Sequence, residues 1–264
     1  MTPRSVRPAS SPLLSELEAV AQGFGVSMDQ AQRDHLISHL LAAIAASVAS
    51  DVIFFGGTAL SRTYLADARL SEDIDLIAIT DRKIVAQKIE NGVARQLARS
   101  HGQVTWQPAL GLTKGSEPSI ITAGGRLSVR IQLLHSKGYP DWPSQITSIE
   151  QRYSDVPSIN LRVPTSDAFA AAKLSAWIDR RAARDLYDLW ALSERSLITS
   201  AAFELFRKHG QFGASLPRWV LKTPPTEGEW ELALAHQTRL TVSSGEALTR
   251  VRSAWASAAK PDVS

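Results

Sequence analysis

Two aspartates one residue apart, Asp73 and Asp75, open an apolar run that continues to Ile79. In a strand, residues i and i+2 project from the same face, so both carboxylates point together while Ile74 and Leu76 turn the other way. Two anionic groups so placed repel each other unless a cation lies between them. Magnesium takes oxygen ligands and shares them with phosphates, and manganese is the alternative. Upstream, Val52-Ile53-Phe54-Phe55 reads as a short buried strand broken by Gly56-Gly57, with Thr58 next and Ser61 one helical turn on. Glycine lets a backbone approach an anion closely, and amides at a helix start favour phosphate. The hydroxyls of Thr58 and Ser61 add further contacts in this reading. A lone Asp-x-Asp or a lone Gly-Gly is common. A strand, two glycines and a hydroxyl, followed by Asp-x-Asp heading a second strand, is far rarer and points to metal-assisted phosphoryl transfer.

A second group of residues lies about 100 positions later. Lys173 sits among Ala170, Ala171, Ala172 and Leu174, where an ammonium needs water or an anion, and a phosphate serves as a point-charge partner. Arg180, Arg181 and Arg184 follow, then Asp185 and Asp188, three apart and so neighbours on one helix face. By residue type alone a structural alternative stands beside this: Lys173 facing solvent, Asp185 capping a helix, and Asp188 paired with Arg184 at i,i+4.

Gly-Gly-Thr-Ala-Leu-Ser-Arg over 56–62, followed by Arg-Leu-Ser-Glu-Asp-Ile-Asp-Leu over 69–76, resembles the signature of the AbiEii/AbiGii toxin family. That family lies in the DNA polymerase β-like nucleotidyltransferase superfamily and includes the MenT toxins of mycobacteria. Lys-Leu-x-Ala at 173–176 and Arg-Asp-Leu-x-Asp-Leu at 184–189 resemble its second signature. The resemblance implies that Gly56, Gly57, Thr58, Ser61 and Arg69 bind substrate at the phosphate turn and that Asp73 and Asp75 hold the metal. It also implies that Lys173 contacts the triphosphate and that Asp185 completes the catalytic set, with Asp188 a structural carry-over. The implied fold is α+β, a nucleotidyltransferase core of mixed β-sheet flanked by helices, with a mainly helical C-terminal region. The implied activity is transfer of NMP from an NTP to RNA, such as the 3′ end of tRNA. Such a toxin, of a type IV toxin–antitoxin or abortive-infection system, has a cognate antitoxin as partner. One departure stands out: the superfamily's third carboxylate belongs on a following strand, and 127–134 offers Arg130 and Gln132 instead. Gln132 replaces it, or Asp185 takes the base role. The rival readings are a nucleotidyltransferase with a small-molecule acceptor and a non-catalytic module that binds NTP or RNA.

The elements that must position these residues follow from periodicity and punctuation. Pro, Ser and Arg over 1–11 predict a flexible tail. Helices are expected over 13–22 and over 28–50, the latter capped by Ser27, with Leu36, Ile37, Leu40, Leu41 and Ile44 at helical spacing. A helix over 58–66 follows the glycines, and another over 83–100 is capped by Thr80 or Asp81. Strands are expected over 104–110, 119–122 and 127–134, then a loop over 136–148. Helices over 166–178 and from Arg184 lead into a helical tail from Ala201, interrupted by turns over 216–229. The core is assigned to 12–155 and the helical region to 156–264.

The chain has 264 residues, 44% hydrophobic and 21% charged, ordinary globular usage. The net charge is +3, and the absence of cysteine rules out disulfides, zinc–thiolate sites and iron–sulfur clusters. No apolar run approaches the roughly 18 residues that span a bilayer, and no apolar stretch follows the N-terminal arginines, which favours a cytoplasmic protein without a signal peptide. His35 and His39, four apart, have metal-binding spacing, but no third ligand lies near in sequence, so they read as structural. Arg207, Lys208, Arg218 and Lys222 read as a solvated basic face able to meet an RNA backbone. The seven tryptophans read as packing.

Overall fold

The computed structural model describes residues 12–212, 217 and 219–260. The expected tail over 1–11 and Arg218 lie outside the described residues. Helices α1 (Pro12–Phe24) and α2 (Met28–Val48) lead into β1 (Val52–Phe55), the short α3 (Gly56–Ser61) and β2 (Asp73–Ala78). After α4 (Arg82–Ser100) come β3 (Val104–Gln107), β4 (Ser119–Ala123) and β5 (Leu127–His135). These strands form one mixed sheet in the order β1-β2-β5-β4-β3. β1 runs antiparallel to β2, with Phe55 opposite Asp75. β2 runs parallel to β5, which sets Asp73 opposite Arg130 and Asp75 opposite Gln132.

Local chemistry places the helices. The Ser27 side chain accepts from the Gln30 amide, and Asp81 accepts from the Lys83 and Ile84 amides, so both long helices have satisfied N-termini. Leu36, Ile37, Leu40, Leu41 and Ile44 of α2 are wholly buried, as are Val85, Ala86, Ile89, Val93 and Leu97 of α4. The two helices pack on each other and on β5, whose Val129, Ile131 and Leu133 alternate inward. The opposite faces of β2 and β5 are thereby left to carry Asp73, Asp75 and Gln132.

Two differences from the expected elements concern the site. Residues 136–148 are not all loop: β6 (Ser144–Ile149) pairs antiparallel with β7 (Ile159–Pro164), and β7 packs on β1. The helix after the glycines stops at Ser61 rather than Ala66. There Arg62 is drawn inward, its Nη2 donating to Asp34 Oδ1 at 2.7 Å and its Nη1 to the Glu150 carbonyl at 2.9 Å. The chain continues through α5 (Ser166–Arg180), α6 (Ala183–Glu194), α7 (Ser200–His209), α8 (Glu227–Leu234) and α9 (Ser244–Ala258). One continuous apolar core joins the sheet, α2 and α4 to these C-terminal helices. Among the described residues no helix is long and apolar enough to cross a membrane.

Candidate active site

The turn from β1 into α3 is shaped by what stands over it. Gly56 has φ +79, and a β-carbon there would overlap the Asp75 carboxylate. At Gly57 a β-carbon would lie 2.8 Å from Arg69 Nη2 and 3.0 Å from Ser71 Oγ. Gly56→Ala is therefore expected to destabilise the chain by about 1–3 kcal/mol, since it combines a left-handed backbone with a steric overlap. Urea unfolding measures this, and an unchanged midpoint would show that the turn tolerates a side chain. Thr58 donates its hydroxyl to the Asp73 carbonyl, which ties the turn to the head of β2. Ser61 donates to the Thr58 carbonyl at 3.1 Å. Both hydroxyl residues are buried.

Asp73 and Asp75 leave the same face of β2, each half-buried. Burial first, then the like charge of Asp73, raises the Asp75 carboxyl to about 6 against the pull of Lys173, Arg130 and Arg180. No hydrogen-bond or ion-pair partner reaches the Asp75 carboxylate among the described residues. Among the described residues the Asp73 carboxylate has only a long contact, Arg130 Nη1 at 3.9 Å from its Oδ2. Gln132 lies beside Asp75 in register and donates its amide to the Ser116 carbonyl. Two adjacent, under-compensated carboxylates are the donor set that a hard divalent cation requires, so the residues present fit such an ion.

Facing them, α5 carries Lys173. Its Nζ lies 2.6 Å from Asp188 Oδ2 and 3.2 Å from Asp185 Oδ1. Asp188 also takes a bidentate pair from Arg69, Nε at 2.7 Å and Nη2 at 2.9 Å. Asp185, wholly buried, takes Arg180 Nε at 2.7 Å and Nη2 at 2.9 Å. Alternating charges thus run from Arg69 through Asp188, Lys173 and Asp185 to Arg180. Burial alone would raise Asp188, but Arg69 and Lys173 override it and hold the carboxyl at about 2. Burial likewise opposes ionisation of Asp185, and Lys173 and Arg180 keep it below its ordinary range. The solvent-facing Lys173 and the Arg184–Asp188 pair, both compatible with the sequence, are not what forms.

A cavity of about 410 Å³ opens between these two groups. Gly56, Gly57, Asp75 and Gln132 line one side, Lys173 and Arg180 the other, and Phe55, Tyr139, Trp142 and Phe169 supply aromatic walls. Thr58, Ser61, Arg69, Asp73 and Asp185 do not line it and stand behind those that do. Several lining residues, Arg180 and Tyr139 among them, are not marked as site residues by the sequence. Arg180 was read only as part of a basic cluster, although an arginine five residues before Asp185 across a helix junction is a readable pairing. Tyr139, whose phenol is raised to about 12 by burial and then by Asp75, sits in a stretch read as plain loop.

Comparison with known proteins adds to this geometry. The family described as "Nucleotidyl transferase AbiEii toxin, Type IV TA system" matches residues 39–261. Among solved structures, MenT4, a nucleotidyltransferase toxin from Mycobacterium tuberculosis H37Rv, superposes with a TM-score of 0.68 at 20% identity, over 94% of this chain and 90% of that one. That likeness shows a shared fold. Comparison with curated proteins finds no match.

Proposed function

The chain belongs to the AbiEii nucleotidyltransferase toxin family, and from that premise we propose that it transfers NMP from an NTP bound in this cavity to an RNA acceptor such as a tRNA 3′ end. The observation that carries the reading is the Asp75 carboxylate, unpaired against Gly56, facing Lys173 and Arg180 across a cavity with aromatic walls. A volume of about 410 Å³ falls in the range of small-molecule sites.

In this reading Lys173 and Arg180 hold the triphosphate. An ammonium has three donors; Asp185 and Asp188 occupy two on Lys173, leaving one for a phosphate oxygen. Arg180 spends Nε and one Nη2 proton on Asp185 and keeps its Nη1 protons for the ligand. Gly56 and Gly57 leave room for phosphates beside Asp75, while Thr58, Ser61 and Arg69 hold the turn in place. The aromatic walls stack against the base. Magnesium or manganese held by Asp73 and Asp75 would neutralise charge on the reacting phosphate and favour in-line displacement of pyrophosphate. Gln132 can orient an acceptor hydroxyl but takes no proton, so proton acceptance falls to the carboxylates of the cavity, Asp75 foremost. Asp185, enclosed by Lys173 and Arg180, acts by fixing those cations. The family also favours a cognate antitoxin as partner, and the sequence pI of about 9.3 suits a polyanionic acceptor.

The test is incubation with each α-labelled NTP and total RNA, with magnesium or with chelator. Label should enter RNA with wild type and metal and be lost with chelator. Label found on a small acceptor instead would replace the RNA assignment, and no transfer with any NTP would overturn the enzyme reading for this cavity.

A further inference from the structure

His35 and His39 lie one turn apart on α2, and the fold brings Asp155, from the β6–β7 loop, onto them. His35 Nε2 is 3.0 Å from Asp155 Oδ2, His39 Nε2 is 3.3 Å from the same oxygen, and the two nitrogens are 3.2 Å apart. The three atoms form a nearly equilateral triangle. Hydrogen bonds cannot satisfy all its edges. With a proton on each Nε2, the nitrogen–nitrogen edge sets donor against donor. With one proton removed, that nitrogen sets a lone pair against the carboxylate. A cation above the triangle takes one lone pair from each atom. Tetrahedral zinc, with bonds of about 2.0–2.1 Å, spaces its ligand atoms about 3.3 Å apart.

We propose that His35, His39 and Asp155 form a second metal site, for an ion of the zinc type, separate from Asp73 and Asp75. Two imidazoles and one carboxylate select zinc, nickel or cobalt over magnesium. His101, at the end of α4, stands with its ring centroid 4.9 Å from that of His39 and 5.2 Å from that of His35, outside the three-atom group, so water supplies the fourth position. The Asp155 side chain is 40% exposed, which leaves an entry path. The surroundings are already braced: Tyr153 packs edge-on to His35, and its hydroxyl shares its one proton between the Ala31 carbonyl at 3.0 Å and Asp34 Oδ2 at 3.1 Å.

The site would fasten the loop that supports the catalytic turn. Arg152, three residues before Asp155, donates to the carbonyls of Ser61 and Ala66, both at 2.9 Å, and the Glu150 amide donates to the Arg62 carbonyl at 2.8 Å. Anchoring Asp155 to α2 therefore steadies the segment behind α3.

Chelator-treated protein, held in excess magnesium to occupy the aspartate pair, is titrated with Co²⁺ and then Zn²⁺. One equivalent of Co²⁺ should give the visible absorption of a tetrahedral site and be displaced by Zn²⁺. Zn²⁺ at 100 times its Kd should raise Tm by about 5–10 °C. Asp75→Ala should keep both signals. His39→Gln and Asp155→Asn should lose both while the far-ultraviolet circular dichroism stays native, since His39 is half-buried, Asp155 is exposed, and each replacement is of similar size. Absence of binding in wild type, or equal binding in His39→Gln and Asp155→Asn, would leave a hydrogen-bonded cluster only and overturn the proposal.

Discussion

Asp75→Asn should reduce nucleotidyl transfer by at least about 10²–10³-fold and, at pH 7 without divalent metal, make the protein more stable. The two effects have one cause. Burial and Asp73 raise the folded-state pKa from 3.8 to about 6, so the folded chain holds its Asp75 proton more tightly than the unfolded chain does. Each unit is worth about 1.4 kcal/mol. The favourable contribution is fully present below pH 3.8 and is lost as pH rises through about 6. Relative to the unfolded chain, the ionised side chain then opposes folding at neutral pH. Asparagine keeps the shape against Gly56 and removes the charge, so a gain of about 1–3 kcal/mol, or several degrees in Tm, is expected at pH 7. The gain should vanish below pH 4, where Asp75 is protonated, and shrink when magnesium stabilises the ionised acid. Wild-type transfer should itself fall as pH drops below about 6, with metal moving that midpoint lower. Comparable transfer by the variant would sink the catalytic assignment, and a lower Tm at pH 7 would sink the account of a strained acid.

Asp188→Ala should act in the opposite direction on stability. Its carboxylate is 2% exposed and is shared by Arg69 and Lys173, both themselves buried. Removing it leaves buried Arg69 without its counter-charge and Lys173 with Asp185 alone, a loss of about 3–5 kcal/mol and roughly 10 °C or more in Tm. Asp185→Ala should cost less, because Lys173 retains Asp188 and the freed Arg180 side chain is 63% exposed and can hydrate. Acid should reproduce the effect in wild type: the Asp188 contribution is present above the unfolded value of 3.8 and is lost as pH falls through about 2. Urea midpoints of the two variants side by side provide the measurement. Equal losses, or a loss for Asp188→Ala under about 1 kcal/mol, would show that the charge chain does not carry stability.

Much of this was legible in the residues because it is local. Strand periodicity of two put Asp73 and Asp75 on one side with Ile74 and Leu76 on the other, and β2 shows that pattern. The run Val52–Phe55 is a strand, Ser27 and Asp81 are caps, and the Gly56–Gly57 break lies where the chain turns. The family resemblance, the α+β fold and the nucleotidyltransferase class rest on the same short stretches. The ribbon of β6 and β7 escaped because each strand is short, half polar and bounded by proline-bearing loops, and only the partner strand makes it a strand.

What tertiary structure alone decided is which groups meet. A side chain's direction from its own element follows from backbone geometry over a few residues, but its partner depends on how distant segments pack. Arg69 finds Asp188 across 119 positions and is thereby a buried brace behind the cavity. Thr58 and Ser61 spend their hydroxyls on carbonyls, because at a tight turn the nearest acceptor is backbone. His35 and His39 showed their spacing in the sequence, whereas Asp155, about 120 residues on, joins them only because the β6–β7 loop folds onto α2. Residue type and spacing therefore set the kind of chemistry available, and long-range packing selected which side chains face the cavity and which are consumed in building it.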